Sequence, residues 1–221
     1  MTWVKICGMT NLEDALVAVD AGADAVGFVF YEKSSRCVSV EMAREICAKL
    51  PGSVEKVGVF VGGSSERIAK TIRNGDLTIA QIYPEHSLGL TGEFFQNFPF
   101  RVIPAIGAGL ISHDEIGGFY LENSAREKVV AALIDSGKSD RPGGTGETFD
   151  WRIISGLAER LGLNLVLAGG LKVENVGAAI KTVNPWGVDV ASGVEASPGK
   201  KDPEKVRAFV RAVRECDRKV S

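Results

Sequence analysis

Short apolar runs alternate along the whole chain with stretches in which apolar residues recur every three or four positions. Val4-Lys5-Ile6-Cys7 is the first run, and Gly8 stops it. Thr10-Asn11-Leu12-Glu13 then fits a capping box, with Thr10 as N-cap and Glu13 three residues on. Leu12, Ala15, Leu16 and Val19 share one helical face, and Gly22 ends that helix. Ala25 to Phe30 is the second run, and Ala43, Ile46, Cys47 and Leu50 mark the second helical face.

The same spacing predicts strands over Lys56–Val61, Thr78–Ile82, Arg101–Ile106, Val129–Ile134, Asn164–Leu167 and Gly187–Val190. Between and after them it predicts helices over Ser65–Arg73, Gly92–Phe98, a stretch after Ser112, Asp150–Leu161, Val173–Val183 and Pro203–Glu215. Strands that alternate with helices imply a parallel sheet, buried on both faces, which accounts for near-continuous apolar strands such as Leu163 to Leu167. An open doubly wound sheet alternates in the same way. Eight strand–helix units within 221 residues favour closure into a (β/α)₈ barrel of the TIM type, an α/β fold. No linker interrupts the pattern, so residues 1–221 are expected to be one domain.

Charge and composition narrow the function classes. Lys and Arg total 26 against 28 Asp and Glu, a net charge of −2, which argues against a nucleic-acid binder or a polybasic membrane anchor. No apolar stretch is long enough to span a bilayer, and the first residues lack a secretory pattern. Cys7, Cys37, Cys47 and Cys216 show no metal-like or disulfide-like spacing with each other or with His86 and His113. A cytoplasmic chain with reduced thiols and neither a metal cluster nor a disulfide framework is expected. The 26 glycines fall singly or in pairs between apolar segments, as tight turns rather than flexible filler.

In such a barrel, chemistry sits where strands end. Leu167-Ala168-Gly169-Gly170-Leu171 leaves the seventh strand and Val190-Ala191-Ser192-Gly193-Val194 the eighth, the usual place for backbone amides to cradle a phosphate. Gly143-Gly144-Thr145-Gly146 reads equally as a mobile loop, a lid or a further phosphate contact. Asp135 follows the sixth apolar run, placed to meet a ligand or to cap a turn. Cys7 ends the first strand, where a lone cysteine is commonly a small buried hydrophobe and a working thiolate needs nearby positive charge. Strand alternation puts Lys5 and Cys7 on one side of the first strand and Asp189 on the matching side of the eighth. Closure makes those strands neighbours, so Lys5 and Asp189 are expected to neutralise each other inside the barrel. Arg36 is a loop cation, either solvated or able to grip a carboxylate in bidentate fashion.

Together these stretches resemble the phosphoribosylanthranilate isomerases of tryptophan biosynthesis. The resemblance rests on Lys5-Ile6-Cys7-Gly8, Gly27 to Tyr31 with Ser34-Ser35-Arg36, and Val57 to Val61. It continues through Gly143 to Gly146 with Phe149-Asp150-Trp151, Leu167 to Leu171 with Glu174-Asn175-Val176, and Gly187 to Glu195 with Pro198-Gly199. It implies a cofactor-free and metal-free Amadori rearrangement of an aminoaldose to an aminoketose. Asp135 would be the general acid that opens the ribose ring, and Cys7 the general base that takes the C2′ proton. Arg36 would bind the anthranilate carboxylate, while Gly170, Ser192 and Gly193 would hold the phosphate. Asp189 would contact ribose hydroxyls or position the base, with Gln81 and Gly144 among the substrate-binding residues. The implied partner is a phosphorylated small molecule, with no nucleic acid or membrane, for a monomer or a homodimer.

One segment departs from the resemblance. The family usually carries Val-Gln-Leu-His-Gly on the fourth strand, and here Ala80-Gln81-Ile82-Tyr83-Pro84 stands instead, so Tyr83 replaces a histidine and Pro84 a glycine. Pro84 fixes φ and removes an N–H, which gives that loop a different shape. Cys37 also stands where an aromatic is more typical. A substrate-shifted or non-catalytic phosphate-binding paralogue is the alternative, and the presence of both Cys7 and Asp135 speaks against it. A strand-end lysine set of the kind indole-ring closure needs is absent from the pattern.

Overall fold

In a computed structural model of the chain, residues 1–83, 94–95, 98–110, 126–136 and 149–220 are described. Eight parallel strands close into a barrel in chain order: β1 (Trp3–Cys7), β2 (Ala25–Val29), β3 (Glu55–Val61), β4 (Ile79–Tyr83), β5 (Arg101–Gly107), β6 (Ala132–Asp135), β7 (Leu165–Leu167) and β8 (Gly187–Val190). Helices α1 (Leu12–Asp20), α2 (Val40–Cys47), α3 (Ser65–Asn74), α4 (Leu157–Leu161), α5 (Val176–Val183) and α6 (Pro203–Val220) connect and flank them. Pro84, His86, His113, the segment around Gly144, the helix expected after Ser112 and most of the helix over 92–98 lie outside the described residues. Among the described residues no helix is long and apolar enough to cross a membrane.

Period-two alternation divides each strand between two cores. Val4, Ile6, Val26, Phe28, Phe60, Ala80, Ile82, Val188 and Val190 belong to the core under the helices. Ala25, Val57, Ile79, Ile103, Leu133 and Val166 fill the barrel itself. Trp3 and Trp186 stack 5.2 Å apart at the end where the strands begin. The barrel interior is therefore apolar low down, and its polar residues gather near the strand ends. The last helix ties the closure down: Asp217 accepts from the amide and hydroxyl of Thr2, while Arg214 reaches the Thr2 carbonyl and Asp24 Oδ2.

Four expectations are corrected by the local chemistry. The N-cap of α1 is Asn11, not Thr10: Asn11 Oδ1 accepts from the Asp14 amide and its Nδ2 donates to Asp14 Oδ2. Thr10 instead donates its hydroxyl to the Gly199 carbonyl. The helix predicted over Asp150–Leu161 is broken into a 3₁₀ turn, Trp151–Ile154, and α4, because Gly156 between them takes φ +71°. The helix predicted from Val173 begins only at Val176. Finally, regular pairing in β6 begins at Ala132 rather than Val129. Val102 donates to the Lys128 carbonyl, and two residues on Pro104, facing the same strand, has no N–H to give. Pairing changes from Val102 opposite Val129 to Ala105 opposite Leu133, a one-residue slip, which carries Asp135 to the strand's end.

Candidate active site

Four strands end in inward-facing polar side chains. Cys7 closes β1, Tyr83 closes β4, Asp135 closes β6, and Asp189 lies one residue from the end of β8. They line one pocket at the mouth of the barrel, together with Arg36, Gln81, Gly170 and Ser192. Gln81 is buried, and its Oε1 has no protein partner among the described residues, so it stands ready to accept a hydrogen bond from a ligand.

Beneath the pocket floor, Lys5 pairs with Asp189. The register of β1 on β8 sets the two residues directly opposite each other, and Lys5 Nζ donates to Asp189 Oδ1 at 2.9 Å with Lys5 fully buried. Burial alone would lower the Lys5 pKa, but Asp189 and Cys7 beside it hold it above the ordinary value. Burial pushes the Asp189 carboxyl up against the pull of Lys5. It also raises the Cys7 thiol, which Lys5 and Lys201 partly offset. Gly27, across from Cys7, leaves the necessary space: a Cβ there would stand 2.8 Å from Cys7 Sγ and 3.0 Å from Lys5 Cε.

On β4 and β6 a second interior contact forms. Tyr83 Oη donates to Asp135 Oδ2 at 2.8 Å, and Gln81 Nε2 stands 3.5 Å behind the phenol oxygen. Burial, with Asp135 and Asp189 nearby, holds the Tyr83 hydroxyl well above its ordinary pKa. It is a permanent donor at any working pH.

Arg36 is held from behind. Its Nε and Nη2 each donate at 2.7 Å to one oxygen of Glu195, a bidentate pair that fixes the guanidinium at the pocket. Glu195 begins a small hairpin, β9 (Glu195–Ser197) and β10 (Lys200–Lys201), that follows β8. Lys201, also buried, donates from Nζ to Glu195 Oε1 at 3.0 Å and to the Ala191 carbonyl at 3.1 Å. Its pKa is lowered because burial outweighs Glu195. Burial would raise Glu195, but Arg36 and Lys201 hold it below the ordinary 4.5.

The loops after β7 and β8 interlock. A Cβ on Gly193 would overlap the Leu171 carbonyl, and Asn175 Nδ2 donates to the Gly170 carbonyl at 2.9 Å. Gly169 and Gly170 both take positive φ, +83° and +63°, so their backbone turns sharply at the pocket rim.

The sequence thus named residues from strand ends far apart in the chain, and Cys7, Asp135, Arg36, Gln81, Gly170, Asp189 and Ser192 meet in this pocket. Gly193 supports it from behind through the Leu171 loop, and Gly144 lies outside the described residues. Two residues were missed. Lys201 reads as part of the charged run Lys200-Lys201-Asp202, which predicts a solvated face, and Glu195 only as the end of a motif. The one available signal was Pro198-Gly199 between them, a turn able to fold Lys201 back onto Glu195.

Residues 4–212 match the family model of N-(5′-phosphoribosyl)anthranilate (PRA) isomerase. The N-(5′-phosphoribosyl)anthranilate isomerase of Pelobacter propionicus is 45% identical over 215 residues, 97% of either chain. The crystal structure of phosphoribosyl anthranilate isomerase from Thermotoga maritima is similar with a TM-score of 0.84 at 41% identity, covering 97% of this chain and 100% of that one. A further isomerase structure is in complex with reduced 1-(o-carboxyphenylamino)-1-deoxyribulose 5-phosphate. It is similar with a TM-score of 0.76 at 38% identity, covering 97% and 100% of the two chains.

Proposed function

Since the chain belongs to the N-(5′-phosphoribosyl)anthranilate isomerase family, an enzyme family of tryptophan biosynthesis, we propose that its rearrangement is driven by Asp135 as acid and Cys7 as base. Asp135 gives its proton to the ribose ring oxygen. The bond from C1′ to that oxygen breaks with its electron pair on oxygen, and the anthranilate nitrogen lone pair forms the C1′=N Schiff base. Cys7, whose thiolate form Lys5 and Lys201 favour against its burial, then takes the C2′ proton as the thiolate. The C–H electrons become a C1′=C2′ double bond, the iminium charge is discharged onto nitrogen, and the enolamine tautomerises to the aminoketose. Proton delivery at oxygen and removal at carbon need two groups on different sides of the sugar. Cys7 on β1 and Asp135 on β6 come from well-separated parts of the barrel wall and line the same pocket, which is the observation that carries this reading.

The remaining residues serve the substrate. Arg36, steadied by Glu195, turns its other donors to the anthranilate carboxylate. The triad of two cations and one anion, Arg36 and Lys201 with Glu195, leaves one positive charge that an anionic ligand group completes. Gly170, Ser192 and Gly193 offer backbone amides to the phosphate. Gln81 Oε1 accepts from a ribose hydroxyl, and Asp189, neutralised by Lys5, holds the floor beside Cys7. Residues 1–221 act as one domain, since β1 pairs with β8 and α6 is pinned to Thr2.

The test follows the decay of anthranilate fluorescence with freshly generated phosphoribosylanthranilate. Asp135→Asn and Cys7→Ser are each expected to lose about 10²–10⁴-fold in kcat with unchanged circular dichroism. Full turnover in either folded variant removes that residue from its role.

A further inference from the structure

We infer that Tyr83, which stands where the family pattern has histidine, is the positioning residue for Asp135, fixing the orientation of its carboxyl through the Tyr83 Oη to Asp135 Oδ2 hydrogen bond. The inference rests on Asp135 being the general acid. Its geometry is independent of that role: a 2.8 Å contact between the last residue of β4 and the last residue of β6, across the barrel from strand to strand. β5 lies between those strands and presents the small Ala105 to the barrel interior, so the phenol passes over it.

The direction of the hydrogen bond matters. Tyr83 is half-buried, with its hydroxyl turned toward Asp135 on β6, Asp189 on β8 and Cys7 on β1, a surrounding that keeps the phenol protonated. The phenol O–H donates to Asp135 Oδ2, while Gln81 Nε2 stands 3.5 Å from the phenol oxygen. Oδ2 accepts this bond, and the Ser136 hydroxyl lies 3.5 Å from Oδ1. Delivery of the Asp135 proton to the ring oxygen breaks a carboxyl O–H bond, forms an O–H bond on the sugar and leaves a carboxylate. The same phenol meets that new charge with a bond that becomes charge-assisted, and so tightens as the proton leaves. A histidine at this position would bring a titrating ring into the pocket, whereas tyrosine supplies a donor that does not change protonation over the working range.

Tyr83→Phe removes the hydroxyl and leaves the ring. Its kcat for phosphoribosylanthranilate is expected to fall at least about tenfold, with KM and the melting temperature near those of the parent. A double-mutant cycle separates positioning from packing. In the Asp135→Asn background, adding Tyr83→Phe is expected to leave the residual kcat unchanged, because the group it acts through is gone. A parental kcat in Tyr83→Phe, a change confined to KM, or an equal loss in both backgrounds overturns the inference while Asp135 stays essential. Turnover that survives Asp135→Asn overturns the acid assignment itself, and the inference with it.

Discussion

Lys5 with Asp189, and Arg36 with Glu195 and Lys201, are two clusters of opposite charges set to opposite ends. The first lies inside the barrel wall, made by two strands in register, and sums to zero charge. The second is assembled from the loop after β2 and the hairpin after β8, and sums to one positive charge. A closed pair needs no ligand and serves as structure beneath the pocket. An incomplete triad keeps a guanidinium fixed yet unsatisfied in charge, which suits recognition of an anion. Arg36 is more exposed than either member of the closed pair, and the clusters differ further in whether the charges already balance.

The most severe way to break the contrast is Lys5→Met. It strands the buried Asp189 carboxylate and is expected to lower stability by about 3–5 kcal/mol, read from urea unfolding. The double variant Lys5→Met/Asp189→Leu should regain most of that loss, because an apolar pair of similar volume suits the barrel interior. A Lys5→Met protein as stable as the parent shows that the pair is not ionised where it sits.

Glu195→Gln comes next and addresses the other cluster. It leaves Lys201 buried without its carboxylate and frees the Arg36 side chain to turn. KM is expected to rise about tenfold, or ~1.4 kcal/mol, with kcat changed much less. A loss in kcat at constant KM would place the triad's effect on the chemistry rather than on binding.

The smallest effect is in acid. Glu195 is held below 4.5, and Asp217, held by Thr2 and Arg214, lies below its ordinary 3.8. Groups depressed in this way stabilise the fold above their unfolded pKa values, and that contribution is lost as pH falls through the folded ones. Their share of the melting temperature should therefore stay level from neutrality down to about pH 4.5 and decline below it. The Glu195→Gln melting curve, measured at the same pH values, should decline less steeply.

The two clusters also mark how far the chain can be read without coordinates. Lys5 and Asp189 were legible because regular strands obey period two, and closure of eight units makes the first and last neighbours. Cys7 and Asp135 were legible for the same reason, as polar residues at the ends of apolar runs. Glu195 and Lys201 were not, since they follow the last strand, where apolar rhythm stops and a charged run has no face to report. The slip in β6 escaped because its cause, Pro104, acts on the neighbouring strand rather than on its own. The break before α4 escaped because Ile154, Leu157, Ala158 and Leu161 keep a helical period across Gly156. Tyr83 was visible only as a departure; its bond to Asp135 spans 52 residues of sequence and needed the barrel to be seen.

The separation of Lys5 from Asp189, 184 residues apart, has a consequence for the order in which the protein is made. While the chain emerges from the ribosome, β1 has β2 on one side and nothing on the other until β8 arrives. Through that interval its open edge carries an inward-pointing lysine, the kind of charge that keeps exposed sheet edges from joining those of other nascent chains. Arrival of Asp189 cancels the charge and completes the ring in one event, so the residue that guards the unfinished sheet is also the one that seals the finished barrel.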